Sequence, residues 1–202
     1  MRPTHDTFTT KIGDAIVQLP ARAVVHDYLR RFLDRPEIAT SAIPKIGAHW
    51  PEQGGVYAGA MRGENGVPDY HLIVPTNAAA AVAEIKWGGR GKDIDGAKSD
   101  FDGLANTTSL CESKHDHPAA EWAANLTIDG LNDFYLPSRR ELRLCWVNVP
   151  ELFETGWHWT STQYSADNAW CQGFDDGFQG SNCKDDEFRA RAVRRFVSHS
   201  VI

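Results

Sequence analysis

The pattern of apolar residues first marks a short amphipathic segment near the start of the chain. Within residues 21–33 the apolar residues recur at helical spacing: Val24, Val25, Tyr28, Leu29, Phe32 and Leu33. This spacing predicts an amphipathic helix that ends at Pro36. Its apolar face needs a partner, and the alternatives are its own domain, another subunit or a larger assembly. We therefore expect an N-terminal helical extension at residues 1–40, with an anchoring or oligomerising role, and a separate domain at residues 41–202.

The domain opens with the pattern of a β-hairpin. Residues 54–75, "GGVYAGAMRGENGVPDYHLIVP", indicate two strands joined by a turn at Asn65 and Gly66, because both residues tolerate positive φ. Residues 77–87, "NAAAAVAEIKW", then predict a helix capped by Thr76 or Asn77. The Gly- and Asp-rich stretch that follows predicts a loop, and its glycines do not match a phosphate-binding loop.

Two further helices are predicted in the middle of the chain. Residues 116–126, "DHPAAEWAANL", place Pro118 in the first turn of an Ala-rich helix. A second helix begins where Ser138 and Glu141 form the S-x-x-E pattern of a capping box. The remainder of the chain alternates short strands with turns. Helices inserted among paired strands predict an α+β domain.

Composition and charge narrow the classes of function. The 202 residues are 42% hydrophobic and 24% charged, which is typical of a globular protein with one domain and a small appendage. The net charge of -6 argues against nucleic acid as the partner, and the basic clusters are short, such as Arg139 with Arg140. No apolar run has the length of a secretory signal or a membrane span. We expect a cytoplasmic protein without membrane insertion, unless an assembled particle carries it out.

The cysteines give no sign of a metal or redox site. Cys111, Cys145, Cys171 and Cys183 form no C-x-x-C pair, so neither a zinc ribbon nor a thioredoxin-type site is indicated. In a reducing compartment four free thiols are expected. The sequence therefore predicts no cofactor and no metal.

Four motifs near the end of the chain resemble those of a known family. They are "FYLPSRREL" at 134–142, "WHWTSTQYSADNAW" at 157–170, "FDDG" at 174–177 and "RARAVRRF" at 189–196. Their order resembles a family of bacterial and phage proteins with a C-type-lectin-like fold, in which an "RLPT-x-x-EL" helix start precedes a "WSSTQYS-x-x-NAW" strand pair. The likeness is close over about the last third of the chain, and the hairpin sequence extends it to about residue 41.

This resemblance implies a non-catalytic binding protein encoded by a phage or prophage. The family includes the variable proteins of diversity-generating retroelements, in which error-prone copying at adenines rewrites the ligand-binding face of the lectin-like fold. It is also distantly related to formylglycine-generating enzymes. The implied ligand is a host-surface protein or glycan, and the other implied partners are a phage tail or baseplate and further copies of the same chain.

The resemblance also places the binding face, between Trp157 and Phe188. Residues 173–188, "GFDDGFQGSNCKDDEF", are mostly small or polar and precede a strand-like segment, as expected of an exposed surface on a stable base. A face that accepts many different side chains must be exposed, because substitutions cost little at exposed positions and several kcal/mol in a core. The residues that anchor this face in the core would be Trp157, Trp159, Trp170 and Phe174. A surface loop that merely drifts would show the same residue types. The candidate ligand-binding residues are His158, Tyr164, Asp167, Cys171, Gly173, Asp176, Phe178, Gly180, Ser181, Asn182, Cys183, Asp185, Asp186 and Phe188.

Three rival interpretations are open, and the first two concern the same region. The acidic residues around Asp175 and Asp185 suggest calcium, but the Glu-Pro-Asn and Trp-Asn-Asp triplets of calcium-binding lectins are absent, which favours solvated carboxylates. Kinship with formylglycine-generating enzymes suggests a copper-binding pair at Cys171 and Cys183, yet the surrounding motif is absent and no catalytic role is predicted. The third alternative is a structural virion component without receptor specificity of its own.

Overall fold

A computed structural model describes residues 7–12, 15–20 and 43–197. The chain divides into two compact units, Met1–Ile43 and Pro44–Ile202. In the first unit, strand β1 (Thr7–Ile12) pairs antiparallel with β2 (Ala15–Pro20), a hairpin that the sequence pattern did not predict. The helix predicted at residues 21–33 lies outside the described residues.

The second unit has a mixed α+β architecture with two sheets. The four-stranded sheet is antiparallel, in the order β11-β5-β4-β3, and the five-stranded sheet has the order β6-β10-β7-β8-β9, with one parallel pairing between β10 and β7. The first sheet comprises β3 (His49–Trp50), β4 (Gly55–Met61), β5 (Tyr70–Pro75) and β11 (Arg194–Phe196). The second comprises β6 (Ala81–Lys86), β7 (Trp157–Gln163), β8 (Asn168–Gly173), β9 (Gln179–Cys183) and β10 (Glu187–Arg191). The α-helices among residues 43–197 are α1 (Gly103–Cys111), α2 (Pro118–Ala124) and α3 (Arg139–Asn148).

The predicted hairpin and two of the predicted helices are confirmed. Strands β4 and β5 pair antiparallel, and Asn65 and Gly66 between them have φ of 54° and 85°. Helix α2 begins at Pro118, and α3 begins with the complete capping box of Ser138 and Glu141. These features depend on hydrogen bonds and dihedral angles within a few residues, which the local sequence specifies.

The helix predicted at residues 77–87 is wrong. Asn77 caps only a short 3-10 turn at Ala78–Ala80, and the chain then continues as β6. This strand pairs with β10, and its Val82 and Ile85 pack against buried residues of the second unit. Pairing and burial therefore override the helix propensity of the alanines.

Helix α1 was not predicted, because its sequence lacks the apolar periodicity of an amphipathic helix. Its residues, "GLANTTSLC", carry few large apolar side chains, of which Leu110 is buried. The helix is instead started by Asp102, whose side chain accepts a hydrogen bond from the backbone N–H of Ala105 at 3.0 Å.

The core of the second unit consists mainly of two clusters of buried residues. One contains Trp87, Leu110 and Trp159 and packs beneath the five-stranded sheet; the other contains Leu72 and Leu142 and joins the four-stranded sheet to α3. Helix α3 contacts β4 of one sheet and β7 and β8 of the other. It therefore packs against two of the strands on which the binding face was predicted.

Candidate functional site

A buried carboxylate fixes the position of α3. Glu141 is fully buried, and its Oε2 accepts hydrogen bonds from the backbone N–H of Ser138 at 2.7 Å and of Gly103 at 3.1 Å. Its Oε1 accepts hydrogen bonds from the hydroxyls of Tyr70 and Tyr135, both at 2.7 Å. Burial raises the pKa of Glu141, and the hydrogen bonds from these donors oppose that rise because they favour the ionised form. The carboxylate thus ties α1, α3 and β5 together.

Strands β8 and β9 form a hairpin with two distinct faces. Cys171 is opposite Gly180 and Trp170 is opposite Ser181, so the two residues of each pair face the same side of the hairpin. One face, which we call the core face, carries Cys171 and Ala169, both fully buried against Trp159. The opposite face, the α3 face, carries Trp170 and lies against the start of α3.

Three of the predicted binding residues are buried, so the prediction that they are exposed is wrong. Cys171 is fully buried because the alternation of β8 directs it into the core, and Asn182 donates a hydrogen bond to its Sγ at 3.4 Å. His158 is 3% exposed, and its ring lies 4.7 Å from that of Phe174. Gly173 is also buried, at the point where β8 pairs with β7.

The remaining predicted residues reach the surface and are spread along the length of the hairpin. Tyr164 is 57% exposed and Phe178 is 61% exposed. They lie at opposite ends of β8, roughly 17 Å apart at the rise of an extended strand. The exposed acids are Asp167, Asp176, Asp185 and Asp186, and the half-buried positions are Gly180, Ser181, Asn182, Cys183 and Phe188.

The four predicted aromatic anchors differ in burial. Trp159 is fully buried and Phe174 is 8% exposed, which confirms both, whereas Trp157 and Trp170 are only half-buried. The ring of Trp170 meets the edge of Tyr164 at 5.1 Å, and the guanidinium carbon of Arg139 lies 3.7 Å from its centroid. Trp170 is therefore part of the surface. The sequence marked Arg139 only as one half of a basic pair, and its contact with Trp170 is tertiary.

A buried lysine supports the acidic end of the hairpin. Lys184 is fully buried, and its Nζ donates hydrogen bonds to the Oε1 of Gln163 at 2.7 Å and to the carbonyl of Lys92 at 2.9 Å. Burial lowers the pKa of Lys184 to about 8. Arg90, in the Gly-rich loop at residues 88–92, lies 3.3 Å from Asp185 and 3.7 Å from Asp167. These contacts hold the Gly-rich loop against the hairpin.

The arrangement offers no converging ligands for a metal. Within the described ranges, no group of three or more His, Cys, Asp or Glu residues could hold a metal ion. Cys171 is opposite Gly180 and Cys183 is opposite Asn168, so the two thiols point to opposite faces of the hairpin and do not fit a copper-binding pair. Burial raises the pKa of Cys171 to about 11, which disfavours the nucleophilic thiolate.

Comparisons with known proteins add no assignment. No protein-family profile matches the chain, and no curated protein matches it. No helix in the part of the chain that the structure describes is long and apolar enough to cross a membrane. A functional assignment therefore depends on the fold, the geometry of the hairpin and the motifs described above.

Proposed function

We propose that the chain is a non-catalytic binding protein with a C-type-lectin-like fold, whose ligand-binding face is the β8–β9 hairpin and its flanking turns. The observation that supports this is a contrast in burial along the hairpin. Ala169 and Cys171 on the core face are fully buried, whereas Tyr164 and Phe178 at its two ends are more than half exposed. Aromatic side chains on a fixed backbone supply contact area at a low entropic cost, which is how antibody paratopes bind.

The proposed face is narrower than the predicted one. It excludes His158, Cys171 and Gly173, because substitutions at buried positions disturb packing. If the locus belongs to a diversity-generating retroelement, deep sequencing of many clones of the source will find substitutions at exposed codons such as 164, 178 and 185. Codons 158 and 171 will be constant. Equal variation at buried and exposed codons would contradict this part of the proposal.

The biological setting in the proposal is a phage or prophage, with a host-surface protein or glycan as the ligand. The similarity of the four motifs to phage-borne proteins supports it. Attachment to a tail or baseplate, or self-association, would place several weak binding faces side by side and raise the overall affinity. The alternative in the same setting is a structural virion component without its own receptor specificity.

Binding to host surfaces tests the proposal directly. Fluorescently labelled protein is applied to intact bacterial cells and to a glycan array, alongside a variant that combines Tyr164→Ser with Phe178→Ser. We expect binding to fall roughly tenfold or more in the double variant, because exposed aromatics dominate the energetics of such faces. Ile43→Ser, at an apolar residue that is 50% exposed, is the control. Unchanged binding by the double variant would exclude the hairpin, and no binding by any form would favour the structural alternative.

A further inference from the structure

A cationic groove lies along α3, beside the hairpin. We call it the arginine groove; its volume is about 530 Å³. The side chains that form its apolar part are Met61, Phe101, Leu144 and Val147, and Val147 is 60% exposed. Its charged side chains are Arg62, Arg139, Arg140, Arg143 and Asp100. The groove thus combines an apolar floor with a strongly basic rim, and its size is that of a ligand-binding cleft.

Among the described residues that line the groove, positive charges outnumber negative ones. Four arginines surround it with one carboxylate, although the whole chain has a net charge of -6. That carboxylate, Asp100, lies 3.4 Å from Arg139. Among the described residues, the side chains of Arg62 and Arg140 have no ion-pair or hydrogen-bond partner, and Arg140 stacks 3.9 Å from the ring centroid of Phe101. Their N–H groups are therefore free to bind an anion.

The other two arginines hold the groove in shape. The Nε of Arg139 donates a hydrogen bond to the Oε1 of Gln179 at 3.1 Å, and its guanidinium stacks on Trp170. Arg143 donates a hydrogen bond to the carbonyl of Gly177 and lies 5.1 Å from the ring of Trp146. Since α3 is itself fixed by its capping box, a ligand would meet a groove that is already ordered, which lowers the entropic cost of binding.

We infer that the arginine groove binds an acidic peptide segment of a partner protein. Carboxylates of the segment would pair with the guanidinium groups of Arg62 and Arg140, a geometry that permits two parallel hydrogen bonds. Apolar side chains of the segment would cover Leu144 and Val147. Charge complementarity favours an acidic partner, and the aliphatic floor favours a peptide over a sugar, whose hydroxyls need polar partners. The inference goes beyond the proposed function, because it uses neither Tyr164 nor Phe178.

A peptide library tests the inference. Peptides of about nine residues carry an equal mixture of Glu and Gln at alternate positions and a mixture of Leu, Val and Phe between them. The library is passed over immobilised full-length protein, and the retained peptides are sequenced. We expect Glu to be enriched over Gln roughly tenfold at two or more positions, and the enrichment to weaken with added salt.

Matched variants locate the binding site. The combination of Arg62→Gln and Arg140→Gln should abolish the enrichment, because it removes the two unpaired guanidinium groups. The combination of Lys45→Gln and Lys86→Gln makes the same change in charge at exposed positions outside the groove, and should leave the enrichment unchanged. Circular dichroism confirms that each variant is folded.

Three results would overturn the inference. The first is equal retention of Glu and Gln peptides by the unmodified protein. The second is Glu enrichment that survives the double arginine substitution, because the site would then lie elsewhere. The third is a heparin oligosaccharide that displaces the retained peptides at roughly tenfold lower concentration, which would identify a sulfated glycan as the ligand. The variant with Tyr164→Ser and Phe178→Ser should retain the peptides, so failure of the hairpin proposal and failure of this one are distinguishable.

Discussion

Arg139, the first residue of α3, stacks on Trp170 of β8, with its guanidinium carbon 3.7 Å from the ring centroid. Gln179 of β9 reinforces the contact, because its Nε2 donates a hydrogen bond to the carbonyl of Arg139 at 2.8 Å while its Oε1 accepts one from the Arg139 side chain. Helix α3 and the β8–β9 hairpin are thus joined by side chains. Arg139 and Gln179 also line the arginine groove, so this junction forms part of its wall.

We expect Arg139→Ala to lower the free energy of unfolding by about 1–2 kcal/mol, because it removes a cation–π contact and a hydrogen bond between two elements. Urea denaturation measures the change. Arg62→Ala is the matched control, since Arg62 is exposed and has no partner among the described residues. Equal stability of the two variants would contradict a structural role for the Arg139 contact.

A second prediction concerns the buried carboxylate. Glu141→Gln should lower the free energy of unfolding by about 2–4 kcal/mol. The amide nitrogen replaces one carboxylate oxygen and cannot accept the two hydrogen bonds made to it, which come either from the two tyrosines or from the two backbone N–H groups. The midpoint of urea denaturation reports the loss. Glu84→Gln, at an exposed residue of β6, should have no measurable effect. A midpoint for Glu141→Gln equal to that of the control would show that the four donors do not depend on the carboxylate.

The third prediction is a dependence of stability on pH. Burial lowers the pKa of His158 from its ordinary value of 6.5 to about 4. Between these values the unfolded chain binds more protons at this position than the folded chain, so stability falls as the pH is lowered from 6.5 to 4. His158→Gln should remove part of this loss, measured by urea denaturation across that range. His49→Gln, at an exposed histidine, should leave the pH dependence of the unmodified protein unchanged, and an equal effect of both substitutions would refute the assignment to His158.

The fourth prediction separates a binding protein from an oxidase with an activated thiol. At about pH 8, iodoacetamide should modify the exposed Cys111 much faster than the buried Cys171, since reaction requires an accessible thiolate. Mass spectrometry of peptides after timed labelling gives the two rates. Faster labelling of Cys171 would reveal an activated thiol in the hairpin and return the enzyme class to consideration.

Which residues of the candidate site are exposed could be predicted only in part. The sequence named residues between Trp157 and Phe188 as an exposed surface, and Tyr164 and Phe178 are indeed more than half exposed. It did not separate them from His158 and Cys171, which are buried. In a strand, neighbouring residues point to opposite faces, and the residue type alone does not say which face packs on a core.

By itself the sequence determined the features that depend on a few neighbouring residues, namely the capping box of Ser138 and Glu141 and the turn at Asn65 and Gly66. The tertiary structure alone decided that residues 81–86 form a strand, because that segment is stabilised by pairing with β10. It also decided that Glu141 accepts hydrogen bonds from two distant tyrosines, and that four arginines surround one groove. Such contacts join residues far apart in the chain, so no local pattern of hydrophobicity or charge can specify them.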